Sequence, residues 1–216
     1  QEIKNGKIDG VNVTIPFKKS ILPFLDQLTP VAEETQSVNT VFKKDNKVVG
    51  DNTDVEGFRC ALKHIKYNAK NKKIFILGAG GVVTSIIKAL KRIGVSEIIL
   101  SNRTKKKADV IKEIYPDLKI VEWGETPDFD MIINATSIGL KNEDGIKLDY
   151  ASVGPNKFFY DVIYNPKETI FLKRAKLFGN RTENGKMMFI YQAHQAFTVW
   201  HKLIPEIDEE TINLLD

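Results

Sequence analysis

Two patterns of apolar and polar positions divide the chain. The first is alternation of single residues. In Gly10-Val-Asn-Val-Thr-Ile-Pro-Phe-Lys-Lys19, Val11, Val13 and Ile15 share one face of a strand, with Asn12 and Thr14 on the other. Pro16 has no N–H for a ladder, so the strand is expected to end there, leaving Lys18 just past it beside a small polar face. Residues 21–25 suit a short helix interrupted by Pro23. Residues 37–42 and 47–50 read as strands joined by a Lys-Asp-Asn turn. Asp51-Asn-Thr-Asp54 precedes a helical spacing over 55–64, and the polar stretch 66–73 is the best linker.

The second pattern is alternation of whole elements. Residues 73–77 form a short buried strand, 82–93 a helix ended by Gly94, 97–101 a strand, and 105–114 a helix stopped by Pro116. Further short strands are expected at 119–121, 131–134 and 158–161, and helices at 186–203 and 208–215. Such alternation predicts an α/β fold whose parallel sheet carries helices on both faces. No internal repeat or low-complexity tract interrupts it.

Composition narrows the function only broadly. The 216 residues are 42% hydrophobic and 28% charged, ordinary for a globular chain. A net charge of +4 does not imply nucleic acid, although it leaves room for a small anionic ligand. The single cysteine, Cys60, excludes an internal disulfide and fits a reducing compartment. No apolar run approaches the roughly 20 residues of a membrane span. No segment reads as a signal peptide, so a cytoplasmic setting is expected. The polar opening from Gln1, without methionine, reads as the interior of a longer protein.

The candidate chemistry begins at Gly78-Ala79-Gly80-Gly81, between strand 73–77 and the next helix. Glycines let the backbone turn tightly and approach a pyrophosphate, and a helix N-terminus presents free N–H groups. A full dinucleotide fingerprint wants a small residue at position 83, where this chain has Val83. The second strand then decides the cofactor. A carboxylate at its end would hold the ribose of NAD and repel a 2′-phosphate. Here Ser101 is followed by Asn102, Arg103, Thr104 and the lysines through Lys107, and an arginine offers a 2′-phosphate a planar fork of donors. NADP is therefore expected. The competing readings are that Asn102 and Thr104 only cap the next helix, and that the lysines are a solvated face.

These residues resemble the shikimate dehydrogenase family. The likeness rests on Asn12-Val-Thr-Ile-Pro-Phe-Lys18, Val38-Asn-Thr40, Gly50-Asp-Asn-Thr-Asp54, Gly78-Ala-Gly-Gly81 and Asn102-Arg-Thr104. Downstream it continues through Ile133-Asn-Ala-Thr-Ser-Ile-Gly139, Tyr160-Asp-Val-Ile-Tyr164 and Gln192-Ala193. The resemblance implies reversible, NADPH-dependent reduction of 3-dehydroshikimate to shikimate in aromatic amino-acid (chorismate) biosynthesis. It implies Lys18 and Asp54 as the proton-transfer pair. A free lysine, with a pKa of about 10.4, is protonated at neutral pH and can donate. It further implies Asn12, Thr14, Asn39, Tyr164 and Gln192 as substrate ligands. Gly185 and Met188 would lie near the nicotinamide, and Thr136, Ser137 and Gly139 in a cofactor-contacting loop.

The resemblance sets the expected architecture as well. A Rossmann-type domain over 57–189 would bind NADP. A smaller α/β substrate domain would comprise 1–56 and 190–216, with the active site in the cleft between them. The family begins with a further strand–helix–strand region carrying a Ser-x-Ser motif that grips the substrate carboxylate. Nothing before Gly10 resembles it, so that wall of the substrate domain, and strands of its parallel sheet, are expected to lie outside this sequence. Val83 and Leu140 stand where the family favours a small residue and a methionine. Three readings stay open: a shikimate dehydrogenase, a quinate-accepting relative, and a non-catalytic NADP-binding module. The small-molecule substrate is the expected partner, with no metal; a homodimer is admitted. His64, His194 and His201 lack metal-ligand spacing, and Cys60 suits packing better than nucleophilic attack.

Overall fold

The computed structural model describes residues 2–141 and 145–215. They divide into two compact units, each with its own sheet. One takes the chain up to Tyr67, Thr84–Ala89 and the residues from Met187 onward; the other takes Asn68–Val83 and Leu90–Lys186.

The first unit opens with β1 (Gly10–Asn12), a 3-10 turn at Leu22–Phe24, β2 (Gln27–Leu28) and α1 (Pro30–Thr35). Then follow β3 (Thr40–Lys44), β4 (Lys47–Asp51) and α2 (Asp54–His64). Their strands form a sheet in the order β1-β3-β4-β2. β1–β3 and β3–β4 are antiparallel, and β2–β4 is parallel. Within the described residues this sheet is therefore mixed rather than parallel as expected, because β3 and β4 are a hairpin. Asp45 and Asn46, both at positive φ, make its turn.

β1 is shorter than the alternation predicts. Asn12 pairs with Thr40, the first residue of β3, and one further bond runs from Val13 N to Asn39 O. Past that point no strand among the described residues pairs with it, and the chain turns (Phe17 N to Thr14 O), leaving Ile15 and Phe17 largely exposed. Alternation specifies a face only where a neighbouring strand exists to hold it.

The second unit contains β5 (Lys73–Leu77), the two ends of α3 (Val83–Ile93, whose Thr84–Ala89 fall in the first unit), β6 (Glu97–Ser101), α4 (Lys105–Ile114) and β7 (Lys119–Ile120). It continues with β8 (Met131–Asn134), α5 (Tyr150–Val153), β9 (Phe158–Asp161), α6 (Ile170–Leu177) and β10 (Arg181–Glu183). All its strands run parallel, in the order β10-β9-β8-β5-β6-β7. The chain winds outward from β5 in one direction and from β8 in the other. This is the doubly wound Rossmann order, which places ligands at the carboxyl ends of the strands near the β5/β8 reversal. Phe75, Ile132, Phe159 and Phe171 fill its core. Gly94, at φ +85°, ends α3 as its left-handed cap.

The chain returns to the first unit through α7 (Lys186–His201), most of which belongs there, and α8 (Glu209–Asn213). Trp200 of α7 donates to Val41 O, and a Cβ at Gly10 would stand 2.3 Å from the Trp200 ring nitrogen. A glycine in β1 thus makes room for the indole. α2 falls in the first unit, not the second as the sequence reading placed it. A Cβ at Gly57 would lie 2.8 Å from Gln192 Cβ and 2.9 Å from Met188 O, so the backbones of α2 and α7 approach closely there. Among the described residues no helix is long and apolar enough to cross a membrane.

Candidate functional site

In the first unit a short stretch of polar side chains converges on Asp54, the first residue of α2. Lys18 Nζ donates to Asp54 Oδ2 at 2.6 Å, and the two side chains are 12% and 5% exposed. The lysine is held by its own backbone, since Val38 N donates to Lys18 O at 2.8 Å. The other oxygen, Asp54 Oδ1, accepts from Asn39 Nδ2 at 3.0 Å. Asn39 Nδ2 also lies 2.9 Å from Thr53 Oγ1 and 3.2 Å from Gln192 Oε1. An amide nitrogen with two hydrogens thus faces three acceptors. Asn39 Oδ1 accepts from Thr53 N, and Asn12 Nδ2 donates to Asn39 O. Lys18, Asp54, Asn39, Gln192 and Asn12 accordingly form one connected network. Thr14 does not join it: its side chain is exposed, without a hydrogen bond among the described residues.

The network rests on residues the sequence reading passed over. Asn52, 4% exposed, donates to Thr35 Oγ1, Ser37 O and Ser85 Oγ, and its Oδ1 accepts from Asp54 N. It thereby fixes the first turn of α2, where Asp54 starts. The only signal for it in the sequence was its place inside Gly50-Asp-Asn-Thr-Asp54.

In the second unit the candidate residues stand at the carboxyl ends of five strands. After β5, Gly78 has φ +112°, and a Cβ there would meet Ala135 O at 2.6 Å, so only glycine fits. Around Gly80 the space is open, with nothing nearer than 4.0 Å to a Cβ. α3 begins at Val83 with no side-chain cap and no acidic residue in its first turn, which leaves its N–H groups for an anion. Val83 is fully buried, so the helix accommodates the larger residue at that position.

After β6, Asn102 Nδ2 donates to Thr104 O at 2.8 Å, and Thr104 makes no side-chain cap. Lys105 pairs with Glu122. Arg103, Lys106 and Lys107 are exposed, and their side chains have no partner among the described residues. An exposed guanidinium and two free ammonium groups beside an uncapped helix end suit a phosphate.

After β8, the hydroxyl of Thr136 donates to Asn134 Oδ1 at 2.7 Å and accepts from Ile138 N at 3.0 Å, while Ser137 is exposed. After β9 comes Tyr164, half-buried and in the second unit, whereas the other four expected substrate ligands belong to the first. Gly185 follows β10, and a Cβ on it would stand 2.1 Å from Val162 O. Met188 sits on α7 in the first unit and is 5% exposed. His64 and His194 contact Tyr191 Oη and Pro205 O. Cys60 donates to Glu56, and burial pushes its thiol up to about 11. Among the described residues no group of three or more His, Cys, Asp or Glu side chains could hold a metal.

Comparison with known proteins gives the family. Residues 1–41 match the shikimate dehydrogenase substrate binding domain, and residues 59–139 match the shikimate/quinate 5-dehydrogenase family. The chain is 62% identical over 214 residues to the shikimate dehydrogenase (NADP(+)) of Pelagibacter ubique, covering 99% of this chain and 81% of that one. It is 42% identical to its namesake from Caldicellulosiruptor saccharolyticus, over 93% of this chain and 75% of the other. The crystal structure of shikimate 5-dehydrogenase from Thermus thermophilus, in complex with NADP(H) and shikimate, superposes with a TM-score of 0.87 at 31% identity. That match covers 99% of this chain and 80% of the other. The chain, with its Rossmann unit and its buried lysine–aspartate pair, belongs to the shikimate dehydrogenase family.

Proposed function

We propose that the protein is an NADP-dependent oxidoreductase that reversibly reduces 3-dehydroshikimate to shikimate, a step of chorismate biosynthesis, with Lys18 and Asp54 as its proton-transfer pair. The observation that carries the reading is that pair. A buried ion pair contributes little net stability, so a module that only binds a nucleotide gains little from one. A ketone reductase needs it, because a proton must reach the carbonyl oxygen as hydride reaches the carbon.

The residues after β5 and β6 fit NADP: the open backbone at Gly80, the uncapped start of α3, and the cations Arg103, Lys106 and Lys107, unpaired among the described residues. When bound, NADPH supplies the hydride and returns as NADP. Lys18 holds the proton at Nζ, donates it to the oxygen that becomes the C3 hydroxyl, and takes it back in the reverse direction. Asp54 holds the ammonium in place by the 2.6 Å bond and keeps its charge compensated while buried. Asn39 and Gln192, bonded to each other, offer a polyol acid neutral donors and acceptors, and Asn12 extends that surface. Thr14 and Tyr164 are proposed as further substrate ligands. Gly78, Ala79, Gly81, Asn102, Thr104, Ser137, Gly185 and Met188 are proposed on the cofactor side, and Thr136 there acts by holding its loop.

The test is the initial rate of NADP reduction with shikimate, compared with NAD and with quinate, for the wild type and Lys18→Ala. Turnover with NADP and shikimate that vanishes in the variant supports the reading. NADP binding without turnover of either substrate overturns it in favour of a binding module. A cytoplasmic setting fits the free thiol of Cys60, and gel filtration decides between a monomer and a homodimer.

A further inference from the structure

Asp161, the last residue of β9, is fully buried, and its four hydrogen bonds come from neutral donors. Its oxygens accept from Asn134 Nδ2 at 3.0 and 3.1 Å, from Ile163 N at 3.0 Å and from Thr169 Oγ1 at 2.7 Å. No lysine, arginine or histidine pairs with it among the described residues. Burial pushes its carboxyl up to about 6 against the pull of these donors, and the ionisable groups near it are the phenols of Tyr150 and Tyr160. At neutral pH it remains an anion. The proposed chemistry does not use it.

Its contacts all lead to loops at the carboxyl edge of the sheet. Because Asn134 Nδ2 faces the carboxylate, the amide cannot flip, and its Oδ1 must face the next loop, where it accepts from Thr136 N and Thr136 Oγ1. Asn134 Nδ2 also donates to Ile138 O, and Thr136 Oγ1 accepts from Ile138 N, so residues 134–138 close on themselves. Gly139, at φ +111°, packs against Thr169, whose hydroxyl points at Asp161. On the other side, Ile163 gives its N–H to Asp161 and its carbonyl to Gly185 N at 3.1 Å.

We propose that Asp161 is a positioning residue for NADP: a buried acceptor that fixes the loops after β8, β9 and β10 and so presents Ser137, Gly139 and Gly185 to the cofactor without touching it. The inference rests on the reading of this unit as the NADP-binding one. Asparagine can stand in for this aspartate. Its Oδ1 accepts from Ile163 N and Asn134, and its Nδ2 donates to Thr169, whose hydroxyl reverses its role; only the 3.1 Å contact of Asn134 Nδ2 with the replaced oxygen is lost. Alanine cannot do so, and leaves Asn134 free to flip.

The test is calorimetric titration of NADP into the whole chain without substrate, with thermal unfolding beside it and, where turnover is present, KM for shikimate. Asp161→Ala is expected to weaken NADP about tenfold, the scale of hydrogen bonds to a charged group, while KM for shikimate moves less than about twofold. Asp161→Asn is expected to stay within about twofold of the wild type for both. If Asp161→Ala does not fold, Thr169→Val removes one donor at constant volume and should weaken NADP about threefold. A folded variant of either kind with wild-type affinity for NADP overturns the inference. So does a loss in which NADP and shikimate suffer alike, which marks a structural role. A wild type that does not bind NADP at all overturns the functional reading instead.

Discussion

Two buried aspartates, one in each unit, are solved in opposite ways. Asp54 is 4% exposed and faces a lysine at 2.6 Å; Asp161 is 0% exposed and, among the described residues, accepts from a side-chain amide, a peptide N–H and a hydroxyl. An ion pair keeps a mobile proton beside the carboxylate, which is what acid–base chemistry uses. Neutral donors hold the carboxylate still, which is what a scaffold uses. The residue type alone carries neither role. The partners decide it.

The comparison breaks most sharply at Lys18. Lys18→Ala should lower kcat about a thousandfold with NADP affinity unchanged, read by steady-state rates and by titration, because it removes the proton donor alone. A kcat near wild type would show that the Asp54 site is scaffold too. Asp54→Asn should cost about a hundredfold in kcat. It should also cost on the order of 3 kcal/mol of stability in denaturant unfolding, since a buried ammonium is left uncompensated. Asp161→Asn, by contrast, should leave kcat within about twofold, and a large loss there would erase the distinction between the two sites.

A smaller effect is expected on the cation cluster. Arg103→Ala with Lys107→Ala should raise KM for NADP about tenfold and leave KM for NAD nearly unchanged, because only NADP carries the 2′-phosphate. Equal changes for both cofactors would turn the cluster back into a solvated helix face.

The smallest effect concerns pH. Asp161 has its folded value raised from 3.8 to about 6, so its contribution to stability is present below about pH 4 and lost as pH rises through about 6. Wild-type stability relative to Asp161→Asn should therefore fall by on the order of 2 kcal/mol between about pH 4 and about pH 7, then level off. A difference independent of pH in denaturant unfolding would show that the donors offset burial completely.

Much of the second unit was legible because its signals are local. The apolar runs at Lys73–Leu77, Glu97–Ser101, Met131–Asn134 and Phe158–Asp161 are strands buried on both faces, and these four match the observed bounds. The elements that went unread lacked such a signal. β10 is the polar edge strand Arg181–Glu183, which exists by pairing with β9. α5 is a single turn, and α6 is capped by Thr169, whose hydroxyl accepts from Leu172 N while serving Asp161. β1 failed in the other direction, since its alternation runs on after its partner strand has ended.

By itself, the sequence determined the doubly wound order of elements and the backbone positions only glycine can occupy, and by resemblance it singled out Lys18 and Asp54 as the candidate pair. Those are properties of neighbours along the chain: a period, a φ angle, a motif. Tertiary structure alone decided which unit claims α2, that the hydroxyl of Thr136 is already engaged within its loop, and that Thr14 stays outside the polar network. It also decided that Lys18 meets Asp54 from 36 residues away and Asn134 meets Asp161 from 27. The physical reason is that a charge's environment is set by what burial brings within a hydrogen bond of it, and burial is a property of the whole packed unit rather than of any stretch of chain.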